Sequence, residues 1–203
     1  VCRFISSLAF IQHMNVIIKG TERMHQRPIR GLVEALIGMG ARIKYLGKDG
    51  YPPLHISPGS PNISGEKDIF IKDSSSSQYI SSLMLIAPKI RDGLRLKFRN
   101  DLPSFSYVQM TAKVLRMADL KCEMKNNEIY IPEQSFESKT IEIEKDWSSA
   151  SYFFPFISLG IIEEMKLKGI SIQSIQMDTA IIDFLKPLGL SILESGNDLI
   201  LKK

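Results

Sequence analysis

The stretch that decides the fold is Arg3-Phe-Ile-Ser-Ser-Leu8, because the chain repeats it. The same pattern returns about 75 residues later as Gln78-Tyr-Ile-Ser-Ser-Leu83, and after a similar interval as Ser151-Tyr-Phe-Phe-Pro-Phe156. Each copy opens an apolar segment long enough to form a helix. Recurrence at a regular interval predicts a fold built from copies of one supersecondary unit.

A second block follows each copy and carries apolar residues at positions i, i+3 and i+4, as an amphipathic helix does. These blocks are residues 32–40, 110–118 and 180–189. Between the two helices of each copy lies a short run typical of a β-strand. These runs are residues 16–19, 94–98 and 165–168.

Each second helix leads into two alternating runs joined by a turn. The turns are Lys48-Asp-Gly50, Lys125-Asn-Asn127 and Ser195-Gly-Asn197. Gly, Asn and Asp tolerate positive φ, so these turns predict β-hairpins. Further strands at residues 68–71 and 140–143 would open the second and third copies. The sequence therefore predicts an α/β fold of repeated β-α-β-α-β-β units with mixed sheets, the first unit lacking its opening strand.

Composition places the 203-residue chain among ordinary globular proteins. It is 44% hydrophobic, 24% charged and 8% aromatic, values that argue against a disordered, collagenous or membrane-embedded chain. No apolar stretch approaches the roughly 20 residues of a membrane span. Cys2 and Cys122 provide neither a disulfide framework nor a metal-binding spacing, which predicts a cytoplasmic protein. The three histidines are far apart, so we expect no metal site.

The charge balance is mild, which argues against a nucleic acid as partner, and a small anionic substrate fits the surplus equally well. Twenty-six basic and 22 acidic residues give a net charge of +4, spread along the chain with no basic stripe carrying interleaved aromatic residues. Three motifs are absent from the sequence: Gly-x-Ser-x-Gly, the Walker A sequence and Gly-x-Gly-x-x-Gly. Their absence argues against triad hydrolases, P-loop NTPases and Rossmann dehydrogenases.

The loop at residues 20–29 is the first candidate site. Arg23, His25 and Arg27 lie between a predicted strand and a predicted helix, where guanidinium groups and helix N–H groups suit phosphate or carboxylate oxygens. The alternative is a solvated loop with Arg27 or Arg30 in surface ion pairs.

A serine-rich segment is the second candidate. Asp73-Ser-Ser-Ser-Ser-Gln78 lies between a predicted strand and a predicted helix, where hydroxyl and amide groups can form an anion cradle. It can equally be a helix N-cap, which the parallel Asp146-Trp-Ser-Ser-Ala150 favours. Ser104 and Tyr107 can add hydroxyl donors to the same pocket, or be a cap and a core aromatic residue.

Several stretches together resemble the 5-enolpyruvylshikimate 3-phosphate synthase family, in family order and at family spacing. They are Glu22-Arg-Met-His-Gln-Arg-Pro-Ile29, Tyr45-Leu-Gly-Lys-Asp-Gly-Tyr-Pro-Pro-Leu54, Ser76-Ser-Gln-Tyr79, residues 104–107 and Asp146-Trp-Ser-Ser-Ala-Ser-Tyr152. The resemblance implies two similar domains, each of three β-α-β-α-β-β units. Residues 1–143 would be most of one domain and residues 144–203 the first unit of the other, with a hinge at residues 144–146.

The resemblance also implies an activity: transfer of the enolpyruvyl group of phosphoenolpyruvate to the 5-hydroxyl of shikimate 3-phosphate, without metal or organic cofactor. By motif, Arg23 would bind phosphoenolpyruvate and Gln78 would lie between the two substrates. The residues that would hold shikimate 3-phosphate are Ser76, Ser77, Gln78, Ser104 and Tyr107. No residue matches the family's catalytic acids and bases, so we expect an internal fragment that is itself inactive.

Two departures and two alternatives accompany this resemblance. Phe105 and Ser106 stand where many relatives have Lys-Pro, and Trp147 replaces a residue that is commonly small. The alternatives are a UDP-N-acetylglucosamine enolpyruvyl transferase and a non-catalytic or RNA-processing relative of the same fold. For the parent protein we expect a monomer that binds neither nucleic acid nor membrane. For this piece we expect self-association through exposed apolar surface.

Overall fold

The computed structural model describes residues 1–59, 68–71, 77–98, 102 and 104–203. The chain divides into two compact units, Val1–Lys139 and Thr140–Lys203. We call them unit 1 and unit 2. None of the helices in the described ranges is long and apolar enough to cross a membrane. The assignment of residues 1–143 and 144–203 to two family domains stays a prediction.

The first copy of the repeat opens unit 1. Its elements are α1 (Cys2–Ile11), β1 (Val16–Ile18), the short α2 (Glu22–His25), α3 (Arg30–Gly38), β2 (Arg42–Tyr45) and β3 (Leu54–Ser57). The strands form an antiparallel sheet in the order β1-β3-β2. The predicted hairpin and both predicted helices of this copy are confirmed.

The second copy completes unit 1. Its elements are β4 (Asp68–Ile71), α4 (Ser77–Ile86), a 3₁₀ turn (Ala87–Lys89), β5 (Leu94–Phe98), α5 (Phe105–Met117), β6 (Glu123–Lys125) and β7 (Glu128–Ile131). The sheet order is β4-β5-β7-β6, in which β4 runs parallel to β5 and the other pairs are antiparallel. This sheet is mixed, as the repeat predicted.

Equivalent positions of the two copies meet where α1 packs against α4. Ser7 and Ser82, 75 residues apart, are both buried, and their hydroxyl oxygens are 2.6 Å apart. The Ser82 hydroxyl also donates to the Arg3 carbonyl at 2.9 Å, so Ser7 is the donor within the serine pair. Small hydroxyl side chains let the two helices approach closely. The pairing therefore brings residues 3 and 78, which are also 75 apart, to the same place.

The third copy forms unit 2. Its helical elements are α6 (Trp147–Ser151), α7 (Phe154–Ser158), a 3₁₀ turn (Met177–Ala180), α8 (Ile181–Leu185) and a second 3₁₀ turn (Lys186–Leu188). The strands are β8 (Glu164–Leu167), β9 (Ser191–Ser195) and β10 (Asp198–Lys202), paired antiparallel in the order β8-β10-β9. The third predicted hairpin is thus confirmed.

Unit 2 departs from the expected pattern at both helices and at one strand. Pro155 and Pro187 lack the N–H that would continue a helix, and each is the second residue of a new short helical segment instead. The prediction of a strand at residues 140–143 is wrong, because this segment has no regular structure. Its Ile143 is 85% exposed, so the alternating pattern has no buried face to hold it against a sheet.

Trp147 is central to the core of unit 2. Its side chain is fully buried, its indole N–H donates to the Ser171 carbonyl at 3.0 Å, and its ring centroid lies 6.2 Å from that of Phe154. The preceding residue, Asp146, accepts from the Ser148 backbone N–H at 3.1 Å, which confirms the helix-cap interpretation for this motif. The large residue at position 147 therefore fills the core of unit 2.

Candidate functional site

The loop at residues 20–29, which we call the arginine loop, lies between β1 and α3. Arg23 lies in α2, and Arg27 follows it just before Pro28. Both side chains are exposed, and within the described part of the chain neither guanidinium has an ion pair or a hydrogen bond. Arg30 does pair with Asp49. The surface ion-pair interpretation therefore holds for Arg30, while Arg27 has no such partner among the described residues.

A cavity of about 490 Å³ in unit 1 joins the arginine loop to the starts of α1 and α4. Its lining residues are Val1, Cys2, Arg3, Thr21, Arg23, Met24, Arg27, Pro28, Ile29, Pro52 and Gln78. The structure thus brings together Arg23 and Gln78, which the sequence assigned to one ligand although they are far apart in the chain.

Arg3 is a cavity residue that the sequence analysis missed. One terminal nitrogen, Nη1, donates to the Gln78 Oε1 at 2.6 Å, and Nη2 donates to the Pro28 carbonyl at 3.3 Å. Its guanidinium carbon lies 5.3 Å from the centre of the Tyr79 ring. The signal that could have found it is the repeat itself, because Arg3 and Gln78 occupy equivalent positions in two copies.

The electrostatics of the cavity favour an anion. Three guanidinium groups, from Arg3, Arg23 and Arg27, line it, and none of the described lining residues is an aspartate or a glutamate. Guanidinium groups remain charged at physiological pH and bind carboxylate and phosphate oxygens through paired N–H donors. The cavity therefore suits a small molecule that carries carboxylate or phosphate groups.

Of the serine and tyrosine candidates, the structure describes Ser77, Ser104 and Tyr107. Ser76 falls outside the described residues, and Ser77 is buried at the start of α4. Ser104 is exposed before α5 and has a φ of 59°, a left-handed conformation found often at functional sites. Tyr107, in the first turn of α5, is 46% exposed, so it is not a core aromatic residue. Ser77, Ser104 and Tyr107 do not line the cavity of Arg23.

Two partly buried residues of unit 1, Tyr45 and Cys2, remain protonated at neutral pH. Burial raises the pKa of Tyr45 to about 12, and its hydroxyl has no hydrogen-bond partner among the described residues. Burial also raises the pKa of the Cys2 thiol, chiefly by desolvation. Neither group is therefore suited to act as a general base or nucleophile. The described residues contain no group of three His, Cys, Asp or Glu side chains able to hold a metal ion.

Comparison with known proteins gives one family. The family model described as EPSP synthase (3-phosphoshikimate 1-carboxyvinyltransferase) matches residues 1–203. A 3-phosphoshikimate 1-carboxyvinyltransferase of Bacteroides fragilis is 33% identical over 187 residues, which are 92% of this chain and 45% of that protein. Its counterpart in Paraburkholderia phytofirmans is 36% identical over 189 residues, covering 90% of this chain and 43% of that protein.

Solved structures agree with the fold. An EPSP synthase from Acinetobacter baumannii superposes with a TM-score of 0.70 at 21% identity, covering 99% of this chain and 45% of that one. The enolpyruvyl transferase-like architecture implied by the resemblance is thus confirmed. The chain spans less than half the length of the curated relatives that it matches.

Proposed function

The chain belongs to the EPSP synthase family, and from that premise we propose that it supplies one wall of the active site of a shikimate-pathway transferase. The reaction moves the enolpyruvyl group of phosphoenolpyruvate to the 5-hydroxyl of shikimate 3-phosphate and releases phosphate. The chain spans less than half the length of these relatives. We therefore propose the full activity only for a protein that also contains the remaining segments.

The observation that carries this proposal is the cavity shared by Arg3, Arg23, Arg27 and Gln78. Phosphoenolpyruvate carries a carboxylate and a phosphate within a few bonds of each other. Several guanidinium groups that line one small cavity can bind the carboxylate and the phosphate at the same time. We propose Arg23 as the principal ligand of phosphoenolpyruvate and Gln78 as the residue between the two substrates.

The hydrogen bond from Arg3 supports the role of Gln78. Because Arg3 donates to the Gln78 carbonyl oxygen, the amide is oriented with its NH₂ group available as a donor to the cavity. An amide oriented in this way can donate to an anionic oxygen without rearranging when the ligand binds. Donors held in place before the reaction stabilise developing charge at little reorganisation cost.

For shikimate 3-phosphate we propose the hydroxyl groups of Ser76, Ser77, Ser104 and Tyr107, with Gln78 shared between substrates. Ser104 directly precedes α5 and is exposed, so its hydroxyl is accessible to a phosphate at the N-terminus of this helix. Phe105, by contrast, packs against Phe98 with ring centroids 5.8 Å apart. The side chain that stands in place of a family lysine thus adds no cation, and the donors proposed here are neutral.

The chemistry of the transfer itself requires residues beyond this chain. Arg23 and Gln78 can bind and orient anions, but none of the candidate residues matches a family acid or base that would move a proton between substrates. We therefore propose that this chain binds and does not turn over its substrates. The alternative of a UDP-sugar enolpyruvyl transferase has less support, because the relatives reported above are named 3-phosphoshikimate 1-carboxyvinyltransferases.

Calorimetric titration of the chain with shikimate 3-phosphate at moderate salt tests the phosphate assignment. We expect weak binding, and we expect Ser76→Ala/Ser77→Ala to reduce the affinity by about tenfold or more, the size expected for lost hydrogen bonds to a charged group. The control is Ser148→Ala/Ser149→Ala, which changes the serine pair of the corresponding motif in the third copy and should leave the affinity unchanged. A folded wild-type chain that does not bind, or a folded Ser76/Ser77 variant with wild-type affinity, would contradict the assignment.

A further inference from the structure

We propose that Tyr79 is a positioning residue whose hydroxyl group ties the arginine loop to the start of α4. The inference rests on the proposed function, since it concerns how the phosphoenolpyruvate half of the site is assembled. Tyr79 directly follows Gln78 and is fully buried. Its hydroxyl donates to the Pro28 carbonyl at 2.7 Å. Pro28 in turn directly follows Arg27 in the arginine loop.

The Pro28 carbonyl receives hydrogen bonds from two helices. Tyr79 of α4 donates at 2.7 Å, and Arg3 of α1 donates from Nη2 at 3.3 Å. Arg3 also donates to the neighbour of Tyr79, Gln78, and its guanidinium lies over the Tyr79 ring. These three hydrogen bonds, together with the peptide bond between residues 78 and 79, form a closed network of contacts. The network connects α1, α4 and the arginine loop on one side of the cavity.

The contribution of Tyr79 to this connection is the bond from its hydroxyl group to the Pro28 carbonyl. A phenylalanine at position 79 would fill the same buried space, because the two side chains differ by one oxygen atom. Without the hydroxyl, the Pro28 carbonyl would keep the longer bond from Arg3. The arginine loop would then keep its link to Gln78 through Arg3 but lose the shorter bond, so the separation of Arg23 and Gln78 would be less tightly fixed.

Titration of the chain with phosphoenolpyruvate tests this role through Tyr79→Phe. We expect the affinity for phosphoenolpyruvate to fall by about fivefold, the equivalent of one hydrogen bond of about 1 kcal/mol. The affinity for shikimate 3-phosphate should change by less than about twofold, because the arginine loop supplies none of its proposed ligands and Gln78 keeps its bond from Arg3. A merely structural role would lower the free energy of unfolding and leave both affinities of the folded protein unchanged.

The matched control is Tyr130→Phe, which removes a tyrosine hydroxyl from β7 in the same unit. Tyr130 stacks with Arg95 at 4.8 Å through its ring and does not line the cavity, so neither affinity should change. Wild-type affinity for phosphoenolpyruvate in folded Tyr79→Phe, with binding by the wild-type chain intact, would overturn the inference alone. A folded wild-type chain that fails to bind phosphoenolpyruvate would overturn the proposed function and this inference together.

Discussion

Substitution of Phe154 by alanine is expected to lower the free energy of unfolding of unit 2 by about 3–5 kcal/mol, the usual cost of a large cavity in a packed core. Phe154 is 1% exposed and packs edge-on against Trp147. The core of unit 2 contains few large side chains, so a loss of this size would leave little or no stability at room temperature.

The adjacent residue supplies the control. Phe153 is 53% exposed, so Phe153→Ala should change the free energy of unfolding by less than about 0.5 kcal/mol. Trp147 is the only tryptophan in the chain and lies in unit 2, so its fluorescence during urea unfolding reports this unit alone. Equal unfolding midpoints for Phe154→Ala and Phe153→Ala would contradict the structure of the unit 2 core.

Removal of the Arg23 charge is expected to weaken phosphoenolpyruvate binding by more than about tenfold, because charged hydrogen bonds contribute about 1.5–3 kcal/mol. The change is Arg23→Gln, which keeps a polar side chain of similar reach. Arg23 is free of ion pairs within the described residues, so its charge is available to a ligand. Calorimetric titration at two salt concentrations measures the effect, and we expect the wild-type affinity to fall at the higher concentration.

Arg42→Gln is the control for total charge. Arg42 is exposed on β2 and does not line the cavity, so its loss removes the same charge from a different surface of unit 1. We expect the affinity for phosphoenolpyruvate to change by less than about twofold, because dissolved ions screen a charge that is distant from the ligand. If both variants weaken binding equally, the affinity depends on the net charge of the chain and not on the arginine loop, which would contradict the role of Arg23.

Regular secondary structure could be predicted where local pattern and repeat agree. The hairpins around Lys48-Asp-Gly50 and Lys125-Asn-Asn127 formed as expected, because turn chemistry acts within a few residues. The strand at residues 140–143 did not, because alternation alone does not provide a neighbouring strand to pair with. Pro155 and Pro187 divided helices that apolar spacing had predicted to be continuous.

The site could be predicted in part, through motifs whose members lie far apart in the chain. Arg23 and Gln78 were expected to share a ligand, and the structure places both on one cavity. Arg3 and Tyr79 were missed as site residues because their roles depend on how α1 packs against α4. No local pattern reports that a buried hydroxyl meets the Pro28 carbonyl or that Arg3 meets Gln78. Such contacts follow from tertiary packing between copies of the repeat.

The most direct test of the central claim is an NMR titration of the ¹⁵N-labelled chain with phosphoenolpyruvate. If the cavity of unit 1 binds this anion, the largest changes in backbone and arginine side-chain signals will belong to Arg3, Arg23, Arg27 and Gln78. Signals from the sheet of unit 2, such as those of β9 and β10, should not shift. Changes concentrated in unit 2, or no change at all in the signals of a folded chain, would contradict the claim.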